Sequence, residues 1–317
     1  MNRIEKIKVA AIGQEMPYGF RYRLKDDALR ASMKQFGILT PIVVADAKRP
    51  VVIAGHKRLH AARTLKMKEV PALVTEKLKA QDAFLLNLIS NWQQVFPDTD
   101  RAGALGKASR EFRLKESDIL SVVMPLLGLP ADKSVLELYL KADQFSPPVK
   151  DLIEEEHWPL RAVTFLFKFS KKDQEYFAQK IGTPTRLTHS QLLQAGEWLV
   201  DILKRTGKTL PELCREHKVL EELELSGRDP RVKADRFFAR IKRLRFPGYS
   251  LYLEEFDKRR ADVLRDIPGL RLEPVQGFET PGFELHSRIK TPEDLERFLQ
   301  KLSERRFALN SLFEIVS

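Results

Sequence analysis

The run Gly55-His56-Lys57-Arg58 sets a glycine and two cations directly ahead of Leu59, Ala62 and Leu65, which recur at helical spacing. A glycine-opened loop at a helix N-terminus exposes backbone N–H groups, and the helix dipole favours an anion there. Lys57 and Arg58 add positive charge, and the arginine fork can grip two phosphate oxygens at once. This is chemistry for holding phosphate; the competing reading is that both cations only solvate a helix start. Two other short segments flank the run in order. Gly37-Ile38-Leu39-Thr40-Pro41 leads into an apolar stretch, and Ser90-Asn91-Trp92-Gln93-Gln94 closes the next helical pattern.

The elements that must position these segments are legible around them. Apolar positions in Ile4–Val9 suit a strand, and Asp26-Asp27 open a helix carrying Ala28, Leu29, Met33 and Phe36 that Gly37 stops. Pro41–Val44 and Val51–Ile53 read as strands about an Arg49-Pro50 turn, and Val70–Val74 reads as another, with Pro71 placing it near a sheet edge. A helix follows from Gln81 to about Trp92. From Asp98 to about Asp201 the pattern is helical. Asp98 or Thr99 caps one helix through Phe112, and Asp132 caps another carrying Leu136 and Tyr139. Further helices are expected over 149–156, 160–169, 172–181 and 190–203, with Glu154-Glu155-Glu156 as an exposed acidic end. Ser226–Pro230 reads as a linker, a helix runs from about Val232 to Leu244, and another spans 249–265 before Pro268-Gly269. A hairpin with turns at Gly277 and Pro281-Gly282, then a helix, completes the chain. The fold class is therefore α+β, with domains at 1–95, 96–209 and 210–317; a small terminal unit of the last kind often pairs with a second copy.

Charge narrows the function. The 317 residues carry net +11, and residues 1–95 hold 17 basic against 8 acidic side chains, net +9. Residues 228–245 hold 8 against 2, net +6, and the intervening 96–227 hold 19 against 21, net −2. A polyanion such as nucleic acid or a nucleotide is the favoured partner. A single cysteine, Cys214, excludes an internal disulfide framework and a cysteine-rich zinc module. There is no apolar leader segment and no run of about 18 apolar residues, so a cytoplasmic protein away from the membrane is expected. No G-x-S-x-G, G-x-G-x-x-G, Walker or H-E-x-x-H pattern is present, and no catalytic residue or metal ligand is assigned.

Taken together, Gly37–Pro41, Val52–Ala62 and Ser90–Gln94 resemble the N-terminal domain of the ParB/RepB family of bacterial DNA-partition proteins, whose fold is shared with sulfiredoxin. The resemblance covers residues 4–95 well and continues weakly to about 200. It implies that Gly55, His56, Lys57 and Arg58 cradle the triphosphate of CTP, that Gly37, Thr40 and Pro41 neighbour the base, that Arg21 or Arg23 adds a phosphate contact, and that Asn91 lies at the site. It further implies a nucleoid- or plasmid-associated DNA-binding protein that forms a homodimer and works with a partition ATPase, set here on a plasmid or mobile element. The sequence departs from the family at three places. His56 and Ser90 replace acids implicated in Mg²⁺ handling and CTP hydrolysis, and Gln94 replaces an arginine. Nucleotide binding without efficient hydrolysis is expected. The loop also has a partial likeness to small-molecule serine kinases, an alternative that needs a carboxylate base beside it. Sulfiredoxin chemistry is excluded, because Cys214 is far from the loop.

Lys115–Phe145 has the layout of a helix-turn-helix, turning at Gly128. Lys133, Ser134 and Glu137 would approach base edges and Lys141 the DNA backbone, while two helices packing a core is the competing reading. Arg236, Arg240 and Arg243 form a basic helical stripe that would add salt-dependent DNA affinity.

Overall fold

The computed structural model describes residues 3–76, 78–225, 229–265, 267, 269–275 and 282–316. The chain divides into two compact units, Met1–Leu193 and Gln194–Ser317, where the sequence pattern placed divisions at 95/96 and 209/210.

The first unit opens with a four-stranded sheet in the order β1-β4-β2-β3: β1 (Arg3–Lys8), β2 (Ile42–Ala45), β3 (Val51–Ala54) and β4 (Glu69–Thr75). β4 runs antiparallel to β1 and parallel to β2, and β2 and β3 form a hairpin. The edge position expected from Pro71 is corrected, for β4 lies inside the sheet. Pro71 is tolerated because it stands opposite Lys6 of β1 alone; the β2 ladder begins one residue later, at Ala72. Helix α1 (Asp27–Phe36) is capped by the Asp26 carboxylate on Leu29 N–H and stopped by Gly37, whose φ of 75° is open to glycine. Helix α2 (His56–Thr64) leaves β3 directly, and α3 (Ala80–Ile89) follows β4. Ile42, Val44, Val52, Leu59, Ala62, Val70, Ala72 and Val74 form the core between sheet and helices.

The helical remainder starts with α4 (Asp98–Gly106), which continues in π turns to Glu111. Asp98 does not cap it. The residue before the helix is Pro97, and the Asp98 carboxylate instead accepts from Tyr139 Oη (2.6 Å), Leu160 N–H (3.1 Å) and Arg101 (3.1 Å). Burial and that bond to Asp98 push the Tyr139 phenol upward. α5 (Glu116–Asp118), π turns over Ile119–Val123 and α6 (Met124–Leu126) form one continuous helix; Gly128, at φ 68°, turns the chain into α7 (Lys133–Ala142), which Asp132 caps on Val135 N–H. Ser146 precedes α8 (Pro147–Glu155), whose first turn holds Pro147 and Pro148. Leu160–Lys168 is 3₁₀ rather than α-helical, a tighter path that buries Phe165 against Phe169 and Phe177. α9 (Lys171–Tyr176) continues in π turns to Gly182, and α10 (His189–Thr206) spans the division between the units.

The second unit contains α11 (Leu210–Glu216), opened by a Thr209/Glu212 capping box, then α12 (Val219–Leu225), α13 (Pro230–Arg245) and α14 (Pro247–Leu264). Strands β5 (Arg271–Pro274) and β6 (Phe283–His286) pair antiparallel, and α15 (Pro292–Glu304) and α16 (Arg306–Val316) close the chain. Their core is Phe256, Val263, Leu270, Leu272 and Leu312. The expected turns at Gly277 and Pro281, Pro268 and most of the Ser226–Pro230 linker lie outside the described residues.

Phe84 of α3 is fully buried and stacks on Phe112 beyond α4, with ring centroids 4.5 Å apart. The sheet-bearing segment and the helices after it therefore share a core. Phe84→Ala should cost about 3–5 kcal/mol, and urea unfolding followed by circular dichroism should show both segments of the first unit melting in one transition.

Candidate phosphate-binding site

Gly55 adopts φ 93°, and a Cβ there would come within 2.9 Å of Ile42 Cγ2, so both the backbone angle and the packing on β2 require glycine. The first helical bond of α2 runs from Leu59 N–H to the Gly55 carbonyl (3.0 Å). The N–H groups of His56, Lys57 and Arg58 stand outside the helix ladder, and the first turn of α2 carries no acid. This end of α2 opens on a cavity of about 500 Å³ lined by residues from all three motif segments. Of the sequence-assigned residues, Arg21, Gly37, Thr40, Gly55, His56, Lys57, Arg58 and Asn91 line it.

The side chains are held as a network. Arg58 donates from Nη1 to the carbonyls of Thr40 (2.5 Å) and Pro41 (2.6 Å), tying the Gly55–Arg58 run to the Gly37–Pro41 segment. Pro41 thus acts through its carbonyl. Burial lowers the Arg58 pKa from its ordinary value, with no carboxylate set against it. Lys57 Nζ lies 3.2 Å from Asp26 Oδ2. The Asp26 carboxyl titrates below its usual range, chiefly through the Leu29 N–H bond and then through Lys57. Arg21 Nη1 pairs with Asp100 Oδ2 at 2.8 Å, both side chains being buried. Its other Nη donates to Gln94 and reaches Asn91 Oδ1 at 3.5 Å, and the guanidinium lies 4.5 Å from the Phe96 ring centroid. Asn91 Nδ2 donates to the Asn87 carbonyl (2.8 Å), and Asn87 Nδ2 donates to the Tyr18 carbonyl (2.7 Å).

His56 is 4% exposed. Desolvation, reinforced by the Lys107 charge, lowers its pKa from 6.5 to about 4 against an opposing backbone bond at Val52, so the imidazole is neutral at pH 7. Its Nε2 is buried without a hydrogen-bond partner. His60 follows four residues on, the spacing of two metal ligands on one helix face. Among the described residues, however, no three His, Cys, Asp or Glu side chains are placed to hold a metal.

Arg23 lies elsewhere. It reaches Asp151 (2.9 Å), Glu154 (3.1 Å) and Glu155 (3.0 Å), and Tyr22 Oη donates to Asp151 (3.1 Å), with the phenol pushed up to about 12 by burial and that bond. The acidic end of α8, expected to be solvated, is thus an arginine dock, and Glu154 also accepts from Thr99. Asp100, Asp26, Asn87 and Phe96 belong to the site network without having been singled out as such. Only Asp26 carried a local signal, as a helix cap.

The DNA candidates on α7 share its solvent face: Lys133, Ser134, Glu137 and Lys141 are exposed while Leu136, Tyr139 and Ala142 are buried. Lys133 pairs with Glu116 (3.2 Å), and Ser134 donates to Asp132. The arginine stripe is less uniform. Arg236 is exposed, Arg240 donates to the His217 carbonyl (2.7 Å), and Arg243 pairs with Glu254 (3.4 Å). Cys214 is buried, and no helix among the described residues is long and apolar enough to cross a membrane.

Residues 1–92 match the family model of the ParB N-terminal domain. The chain is 30% identical over 159 residues to a probable chromosome-partitioning protein ParB of Coxiella burnetii, covering 49% of this chain and 52% of that one. It is 27% identical over 158 residues to the corresponding protein of Vibrio cholerae, with the same coverage. The chain thus spans about half the length of these curated relatives. Among solved structures it is similar to the C-terminally truncated chromosome-partitioning protein ParB of Caulobacter crescentus complexed to the centromeric parS site, at 14% identity and TM-score 0.36, covering 61% of this chain and 98% of that chain.

Asp100→Ala strands the buried Arg21 charge and should destabilise the first unit by about 3–5 kcal/mol; Arg21→Met with Asp100→Leu should recover much of that, as measured by urea unfolding. The His56 shift gives a second expectation. Between about pH 6.5 and pH 4 the unfolded chain binds the proton and the folded chain does not, so stability falls as pH drops through that window. The loss should approach about 3 kcal/mol, and His56→Gln should flatten the difference between urea midpoints at pH 7 and pH 4.5.

Proposed function

We propose that this chain, whose residues 1–92 are a ParB N-terminal domain, is a DNA-binding partition protein that holds the triphosphate of CTP at the N-terminus of α2. One observation carries the reading: Gly55, Lys57 and Arg58 share a single cavity with Thr40, Arg21 and Asn91, so three separated motif segments converge on one anion-attracting mouth. The free N–H groups of the α2 N-terminus suit phosphate oxygens, and Arg58, with Nη1 on two carbonyls, keeps further donors for a ligand. The names of the Coxiella and Vibrio relatives support the partition role. The plasmid or mobile-element setting, the homodimer and the partition ATPase partner belong to the same proposal. On the DNA side, the exposed face of α7 supplies Lys133, Ser134 and Lys141, and Arg236 on α13 adds a cation.

The cavity's own side chains offer Mg²⁺ little, and the nucleotide's phosphates and water would have to supply most of its ligands. Asp26 is the one carboxylate among its lining residues, and Lys57 and Leu29 N–H already engage it. A hard cation wants several oxygen ligands, and His56 and Ser90 stand where the family carries acids. Binding without turnover is the expected behaviour. The serine-kinase alternative meets its own obstacle, for its general base would have to be Asp26, which caps α1 and titrates below its usual range.

Calorimetric titration with CTP, ATP and GTP tests the reading. CTP should bind selectively, Arg58→Ala should weaken it at least about tenfold, the loss of one charge-assisted contact, and CTP should not be consumed. Binding of ATP alone, with transfer to a hydroxyl acceptor, would replace this reading by the kinase one. Absence of any nucleotide binding would remove it.

A further inference from the structure

A second cavity opens on another flank of the N-terminal sheet, between the loop after β1, the Arg49-Pro50 turn and the turn joining α2 to β4. It is an open hollow of about 910 Å³, and its lining includes Lys8, Arg49, Arg63, Lys66 and Lys68, with Glu69 as the single acid. The contrast with the first cavity is in how the cations are used. There, Lys57 and Arg21 face carboxylates and Arg58 faces carbonyls. Here Lys8, Arg49, Lys66 and Lys68 are exposed and make no ion pair among the described residues. Much of the unneutralised charge of the first segment is therefore concentrated away from the nucleotide pocket.

The walls are fixed. Arg63 donates to the carbonyls of Ile12 (3.3 Å) and Gly13 (2.8 Å), Gly13 N–H donates to the Pro50 carbonyl (3.2 Å), and Val9 N–H donates to the Lys68 carbonyl (3.0 Å). Lys66 sits at φ 54°, a left-handed corner that reverses the chain between Arg63 and Lys68. Apolar lining residues form the floor: Ile12 is buried in the core, and Val9 and Met67 pack against it. No aromatic side chain lines the cavity. A protein partner would want an apolar or aromatic anchor at the rim, and single-stranded nucleic acid would want rings for base stacking. A rim on which five cations outnumber one acid fits a regular array of phosphodiesters.

We propose that this cavity is a second phosphate site that grips the backbone of duplex DNA without reading its sequence. It rests on the reading that the chain binds DNA, and adds a contact surface separate from α7. The test compares the full chain, the variant Lys8→Gln/Arg49→Gln/Lys66→Asn/Lys68→Gln and the variant Lys133→Gln/Lys141→Gln. Asparagine keeps the left-handed corner, and Arg63 is spared because it holds the walls. Matching melting temperatures and unchanged CTP titrations establish that the cavity variant is folded. Fluorescence anisotropy with a random-sequence duplex across about 50–200 mM salt should show the slope of log K against log salt reduced in magnitude by about 2–4 in the cavity variant, at about 0.9 per phosphate contact. A cavity variant indistinguishable from the parent, with the α7 variant impaired, would overturn this proposal and leave DNA binding standing. A parent that binds no duplex would overturn both. Inorganic phosphate shifting the Gly13 and Lys68 amide resonances while duplex leaves them unmoved would assign the cavity to a small anion and overturn the DNA assignment.

Discussion

A guanidinium and a carboxylate removed from water each carry a desolvation penalty of several kcal/mol, which only near-complete hydrogen bonding offsets. Arg21 and Asp100 meet that demand across 79 residues of sequence. Asp100 accepts Arg21 on one oxygen and Tyr22 N–H on the other, while the remaining Nη of Arg21 turns to Gln94 and Asn91. Phe96 supplies an aromatic face to the same guanidinium. The loop before α1, the end of α3 and the first turn of α4 must therefore meet at one point. That convergence positions the far wall of the pocket opposite the N-terminus of α2, and it joins the sheet-bearing segment to the helices that follow.

The same demand explains why the pocket is positively charged yet not an open field of free cations. Lys57 leans on the carboxylate that caps α1, so an arriving anion competes with Asp26 for it. Because Asp26 keeps its bond to Leu29 N–H, it can release Lys57 without uncapping the helix. Arg58 faces carbonyl oxygens that are dipoles rather than charges, so the attraction of its guanidinium for an anion is largely retained. Arg21 is locked by Asp100, whereas Lys57 and Arg58 are preorganised by partners that the proposed phosphate could displace.

Much of this was legible in the sequence where the signal is local. The strands, the Asp26 and Asp132 caps, the Gly37 stop and the Gly55 helix start follow from residue type and spacing, and residues 1–92 match the ParB N-terminal domain. What stayed hidden depends on distant pairing. Pro71 suggested an edge because a sequence does not reveal that the β2 ladder starts at Ala72. Asp98 looked like a cap because its partners Tyr139 and Leu160 lie 41 and 62 residues away. Arg23 looked interchangeable with Arg21 until the acids of α8 drew it off. The regular arginine stripe on α13 likewise divides according to neighbours, the His217 carbonyl and Glu254, that no helical spacing encodes.

If the α2 mouth holds a nucleotide as proposed, His56 bears directly on its chemistry. A carboxylate at the second position of the loop would repel phosphate oxygens while offering a ligand to a metal. The imidazole found here is neutral at pH 7, since burial and the Lys107 charge both oppose its protonation. It therefore brings neither that repulsion nor an anionic ligand for a hard cation, and the Ser90 hydroxyl in the same cavity donates to the Leu86 carbonyl. On the proposed reading, both side chains favour retaining an anion over assembling the cation and water that hydrolysis needs.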